Sequence, residues 1–415
     1  MEKRINAEEI LSTFLEYTKI NTTSDPASQT LPSSDNQYKL AQHVINQFSG
    51  LDGIAIDIKS NAITKISLPA NTTNTPSIVF FAHLDTAPEH TGDTHAIRIQ
   101  QYDGKAFIQP GTGEIISPEH HPELLDYVGQ DLIITDGTSL LGADDKAAIA
   151  AGVEALKYLI TNQDVPHGDI HLVLLPDEEI GILGAKELEV DELNADYGIC
   201  LDCCSIGEYV IENWYAGSAR ITVKGITAHP MSAKGKLINA LSVATEVTAA
   251  LPANERPEYT EGREGYYWPH KLSGDTSGAI LDIAIRDFDI DGYRKRKATL
   301  QDIVDKLNQR WGDERISITL SDTYDNVKPG LDKNPAILEN VVQAMHNLGI
   351  TPKPLVMRGG YDGSVITPEG LPTVNIFTGA HNFHSTKEFL PVESLRLASE
   401  MLLEMVKLSC SKDHQ

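Results

Sequence analysis

His83 and Asp85 follow a short apolar run, residues 77–82 (SIVFFA), that reads as a buried strand. An imidazole and a carboxylate in that place are able to bind a metal, although an Asp two residues from a His is common in ordinary turns. Gly142-Ala143-Asp144-Asp145-Lys146 runs straight into a helical pattern. Its two acids serve either as helix caps favoured by the dipole or as oxygen donors to a cation. Asp177-Glu178-Glu179 follows the apolar residues 169–175 (DIHLVLL). Three successive acids normally form a solvated loop, yet neighbouring carboxylates at a strand end also divide labour, one ligating a metal and one handling protons. Asp202 follows residues 198–201 (GICL), and His381-Asn382-Phe383-His384 follows the strand-like residues 371–377.

Five segments therefore bring His, Asp or Glu to what reads as one rim of one sheet. Ligands gather beyond the carboxyl ends of strands in open α/β sheets. Mixed nitrogen and oxygen donors suit a hard-to-borderline divalent ion; zinc fits best, with manganese or cobalt as further options. The set exceeds the three protein ligands of one catalytic zinc. Two ions roughly 3.5–4 Å apart, bridged by a carboxylate and a water, use all of it.

The elements that must position these residues alternate strand and helix. Residues 132–135 read as a further strand and residues 149–160 as a helix, giving an α/β sheet with helices on both faces. From about residue 213 the pattern changes to strand 218–224, helix 237–251, strand 279–286, helix 293–311 and strand 315–320. That order resembles a β-α-β-β-α-β sandwich. The expected organisation is a catalytic domain in two parts, residues 1–212 and 326–415, interrupted by an inserted lid or dimerisation domain over residues 213–325. The closing helix spans residues 392–408.

The 415 residues carry 34 Lys and Arg against 59 Asp and Glu, a net charge of −25. A surface that acidic repels phosphate backbones and anionic headgroups, so nucleic acid and membranes are excluded as expected partners and metal cations are favoured. No apolar run approaches the roughly 20 residues of a membrane span. The first twenty residues read as an amphipathic helix rather than a signal peptide, and four cysteines are too few for a disulfide scaffold. The expected location is the cytoplasm.

The segments FAHLDT, LLGADDKAA, PDEEIG, Asp202 and HNFHSTKEF resemble the metal motifs of the two-zinc aminoacylase and carboxypeptidase superfamily. TAHPMSAKGKLINAL, RPEYTEGREGYY, IRDFD, RGGYDGS and NIFTGAHNFH are similar to its peptidase T branch of tripeptide aminopeptidases, and the likeness covers essentially the whole chain. The resemblance implies a zinc-peptidase fold with a mixed, mainly parallel sheet, interrupted by a ferredoxin-like α+β lid. It implies one zinc on His83, Asp144 and Asp202, and a second on Glu179, His384 and the shared Asp144. Asp85 would fix the tautomer of His83, and Glu178 would be the general base. A cis peptide is expected at Asp144–Asp145. His229 matches the histidine that polarises the scissile carbonyl, arriving from the partner subunit in dimeric relatives. Arg286 and Arg358 match positions that grip the substrate carboxylate. Asn239 and Lys234 are further lid contacts. The implied activity is release of the N-terminal residue from tripeptides by a homodimer with two zinc ions per subunit. A dipeptidase or an N-acyl amino acid hydrolase with the same metals is the alternative within the enzyme class. A non-catalytic peptide-binding descendant is the alternative outside it, although Glu178 and every ligand are present.

The sequence departs from this pattern at Ala148, where relatives often carry Gly, and at Cys203 and Cys204, where they carry smaller residues. Cys200-x-x-Cys203 has metal or redox spacing but lacks a second pair. His120-His121 reads as a solvated turn, and the likeness aligns His384 rather than His381 with the ligand.

Overall fold

The computed structural model describes residues 4–411. The chain divides into two compact units. The first comprises residues up to 211, residues 327–355 and residues from 361 onward; the second comprises residues 212–326 and 356–360.

The first unit is built on an eight-stranded sheet. Its strands lie in the order Ala55–Ile58, Thr64–Leu68, Ile170–Leu175, Ile78–His83, Tyr197–Cys203, Thr373–Phe377, Glu208–Asn213, Lys353–Met357. The central four run parallel. They are apolar nearly throughout, as strands covered on both faces must be. Antiparallel strands Thr64–Leu68 and Glu208–Asn213 flank the parallel four, so the sheet is mixed and mainly parallel at its centre. Because the four central strands point one way, residues 83–85, 176–179, 202–204 and 378–388 all leave the sheet at the same edge.

Helix Ala143–Thr161 packs on these strands and against the closing helix Val392–Ser411. It is almost wholly buried and rich in Ala, which lets its backbone approach the sheet. A three-stranded sheet (Phe389–Pro391, Leu132–Thr135, Ala96–Ile99) and a short hairpin, Phe107–Ile108 with Ile115–Ile116, complete the unit. No helix among the described residues is long and apolar enough to cross a membrane.

The second unit runs strand Tyr215–Lys224, helix Ala240–Ala250, strands Tyr266–Gly274 and Gly278–Asp287, helix Ile290–Trp311, strand Ile316–Tyr324. Its four strands are antiparallel, in the order 266–274, 278–287, 215–224, 316–324. Its core joins Ile221, Val223, Leu281, Ile283 and Ile285 from the sheet to Val243, Val247, Leu300 and Val304 from the two helices. Residues 356–360 group with this unit, whereas the sequence reading leaves them with the catalytic domain. The physical reason is Arg358, whose guanidinium lies over the rings of Trp214 and Tyr266 and donates to the Thr260 carbonyl at 3.2 Å.

Candidate metal centre

His83 is the last residue of strand Ile78–His83 and is buried. Its Nε2 lies 3.0 Å from Asp144 Oδ1, and its Nδ1 faces Asp85, 3.1 Å from the carbonyl and 3.3 Å from Oδ1. Asp85, fully buried, also accepts the N–H groups of Glu178 at 2.9 Å and Glu179 at 3.2 Å. One carboxylate thus orients an imidazole and holds the acidic loop after the neighbouring strand. From the far end of the chain, His384 Nε2 lies 3.0 Å from Glu179 Oε2 and 3.4 Å from Asp144 Oδ2.

Asp144 is therefore shared, one oxygen toward each histidine. The donor atoms fall into two sets, each within 4.8 Å: His83, Asp144 and Asp145, and Asp144, Glu179 and His384. Asp202 is the penultimate residue of the adjacent strand Tyr197–Cys203, its N–H donated to Asn375 Oδ1 at 2.7 Å, and it is a member of neither set. Asp145 takes that place among the close donors, with Oδ2 accepting the His83 N–H at 3.0 Å.

Asp144 and Asp145 do not cap their helix. Their backbones are non-helical, the peptide between them is cis, and the residue at the cap position is Gly142 with φ +74°. Both side chains turn instead to the histidines. The preceding loop is held by Glu388, whose buried carboxylate accepts the N–H groups of Leu141 and Gly142 at 2.8 Å and of Asp144 at 3.1 Å. On the other side Asp177, also buried, accepts the Ser33 N–H and the Gln37 amide, each at 2.6 Å.

So many acids in one buried place repel one another. Burial, then the charge of Asp202, holds the Glu178 carboxyl well above the usual carboxylate range. Burial and the charge of Asp144 do the same to Asp202, and burial followed by Asp144 pushes Glu179 up to about 7. Burial also works against ionisation of Asp144, but hydrogen bonds from His384 and His83 overcome it and hold its carboxyl low. The same bonds, to Asp144 first and Glu179 second, push His384 up to about 11. Glu179 Oε1 and Asp145 Oδ1 are buried and accept no hydrogen bond. Unsatisfied carboxylate oxygens in an acidic, desolvated cluster fit divalent cations, which supply both the missing positive charge and the missing partners.

Seven of the expected site residues lie in the first unit: His83, Asp85, Asp144, Glu178, Glu179, Asp202 and His384. Arg286, Arg358 and His229 belong to the second. Arg286 donates through Nη1 to the carbonyls of Gly217 and Ile285 and faces the Tyr324 ring. It pairs in register with Tyr266, over which Arg358 also lies, so one aromatic patch collects both guanidiniums. His229 is exposed, its Nδ1 accepting the Met231 N–H at 3.2 Å. Asn239, expected as a lid contact, spends its side chain capping helix Ala240–Ala250. The cysteines at 200, 203, 204 and 410 are free and belong to neither donor set.

Sequence reasoning passes over Glu388, and it treats Asp145 only with Asp144 as a cap or donor, without placing it in either proposed metal set. It also passes over Asp362, a buried acid whose Oδ1 accepts no hydrogen bond and whose carboxyl is pushed up to about 7, first by burial. Glu388 lies in HNFHSTKEF and Asp362 in RGGYDGS, but neither directly follows an apolar strand, the signal that singles out the others.

The chain as a whole is similar to known proteins. Residues 140–408 match peptidase family M20/M25/M40, and residues 61–209 match peptidase family M28. A peptidase T of Geobacillus thermodenitrificans (strain NG80-2) is 41% identical over 404 residues, covering 97% of this chain and 98% of its own. The crystal structure of a tripeptidase from Staphylococcus aureus subsp. aureus mu50 superposes with a TM-score of 0.76 at 25% identity, covering 99% of this chain and all of that one. A dinuclear metal-binding M20-family peptidase from Bacillus subtilis has the same fold, with a TM-score of 0.66 at 12% identity and 97% and 98% of the two chains covered.

Proposed function

The chain belongs to peptidase family M20/M25/M40 and is a metal-dependent peptidase, and we propose that it removes the N-terminal residue from tripeptides at a two-metal centre. The observation that carries this reading is the sharing of Asp144 between two histidines drawn from opposite ends of the chain. In the proposal His83, Asp144 and Asp202 hold one ion, and Asp144, Glu179 and His384 the other. Asp202 is preferred to Asp145 because Asp145 already spends an oxygen on the His83 N–H. Imidazole and carboxylate donors suit zinc, with manganese or cobalt as alternatives.

Bound ions of this kind supply Lewis acidity and a water of lowered pKa. The protein's own part begins with Glu178. Held by its N–H on Asp85, it takes the proton of the attacking water on its carboxylate and returns it to the leaving amine. Arg286 and Arg358 grip the substrate carboxylate, and His229 donates to the developing oxyanion. The proposal includes a homodimer, for which the exposed Trp268 and Leu272 on the outer strand of the second unit offer apolar surface. It also includes the cytoplasm, where free cysteines persist.

The test is a tripeptide of three different residues, incubated with the zinc-loaded chain and analysed by mass spectrometry. The expected products are the first amino acid and the intact C-terminal dipeptide. Glu178→Ala is expected to lower the rate by roughly 10²–10⁴-fold while retaining two metals per chain. Cleavage at the C-terminal end, or turnover of dipeptides and N-acyl amino acids alone, would overturn the substrate assignment.

A further inference from the structure

Three backbone N–H groups converge on one buried carboxylate at the loop that leads into Asp144. Glu388 Oε2 accepts from Leu141 and Gly142, both at 2.8 Å, and Oε1 accepts from Asp144 at 3.1 Å. Gly142, at φ +74°, turns the chain there. Successive N–H groups at such a turn form a concavity that favours an anion. The acids that follow cannot cap this end, because their backbones are non-helical and their side chains face His83 and His384. Glu388 therefore does the work of a cap from 244 residues away along the chain.

Glu388 is itself fixed. Its loop is tied by the Gln109 amide and the Thr135 hydroxyl, which donate to the Thr386 carbonyl at 2.6 and 3.1 Å. Its N–H is donated to the Ser385 carbonyl at 3.0 Å, and Phe389 begins the strand that pairs with residues 132–134. The same loop carries His384 four residues earlier. One stretch of chain thus delivers a histidine to the centre and holds the backbone of the carboxylate that histidine meets.

We propose that Glu388 is a positioning residue of the metal centre, setting the backbone of Asp144 so that this side chain presents one oxygen to each side. The proposal rests on the reading of Asp144 as a shared ligand. A glutamine fills the same volume but offers one acceptor oxygen, and its NH₂ group opposes one of the N–H donors.

The experiment uses the full-length chain, stripped of metal and titrated with zinc against a chromogenic chelator. The wild type is expected to take two ions. Glu388→Gln is expected to bind zinc roughly 10–100-fold more weakly, the range seen when a group supporting a ligand is lost. Its metal-free circular dichroism and melting temperature should stay those of the metal-free wild type. At saturating zinc, kcat should fall while KM changes by less than about twofold. Glu388→Gln with wild-type zinc affinity overturns the proposal, as does an affinity loss matched by loss of the metal-free fold. A wild-type chain that takes no zinc overturns the two-metal reading and the proposal with it. The wild-type titration alone tells the two failures apart.

Discussion

Two histidines three positions apart, His381 and His384, are sorted by their surroundings at the scale of single residues. His384 faces Asp144 and Glu179, whereas His381 stacks on Phe389 with ring centroids 4.8 Å apart and hydrogen-bonds the Tyr127 hydroxyl at 2.7 Å. Burial, then the charge of Lys353, pushes His381 down to about 4. Its folded pKa is thus below its unfolded value near 6.5, so the unfolded chain binds the extra proton between those limits. His381 then contributes stability that is present above pH ~6.5 and is lost as the pH falls toward about 4, on the order of 3 kcal/mol in all. Urea titrations across that window should show the loss, and His381→Gln should flatten it while leaving the metal content unchanged. Residues whose own side chains suit a ligand, such as His83 and Glu179, were legible because each follows an apolar strand. Glu388 was not, because its partners are backbone groups of Leu141, Gly142 and Asp144, which no residue type announces.

The parallel direction of four strands is what gathers the site at the scale of elements; the strands themselves were legible from continuous apolar runs such as residues 77–82 and 169–175, whereas their mainly parallel order was implied by the resemblance. Strand Tyr266–Gly274 was not read as a strand. It contains Pro269, lies at a sheet edge, slips register between Pro269 and Lys271, and is exposed over most of its length, so neither alternation nor an apolar run marks it. The two-residue hairpin strands and the outer strand Ala55–Ile58 are equally short of pattern. Tight joints at the sheet's margin carry a separate prediction. Gly207, at φ +88°, precedes strand Glu208–Asn213, and a Cβ there would fall 2.3 Å from the Thr351 carbonyl oxygen. Backbone rather than a flexible side chain must yield. Gly207→Ala is expected to destabilise the first unit by about 1–3 kcal/mol, read as a lower denaturant midpoint without change in metal stoichiometry.

The two units differ at the scale of the whole molecule in what holds them together. The second has its own continuous apolar core between one sheet face and two helices. The first has a comparable core but also concentrates buried acids at one rim. Removing metal should therefore loosen that rim selectively. Hydrogen exchange measured with and without chelator is expected to quicken in residues 83–85, 141–148, 176–180, 200–204 and 381–388, with the core strands of the second unit unchanged. Uniform quickening of both units would contradict this.

The sharing of Asp144 also has a consequence for how the protein is made. His83 and His384 lie about 300 residues apart, so at roughly 5–20 residues per second the ribosome delivers the second histidine some 15–60 s after the first. Once Asp202 has been made, the nascent chain carries every proposed ligand but His384 and cannot complete the pair of sites. In the proposed two-metal reading, proteolytic competence therefore waits for the loop that carries His384, which is made after every residue of the inserted unit.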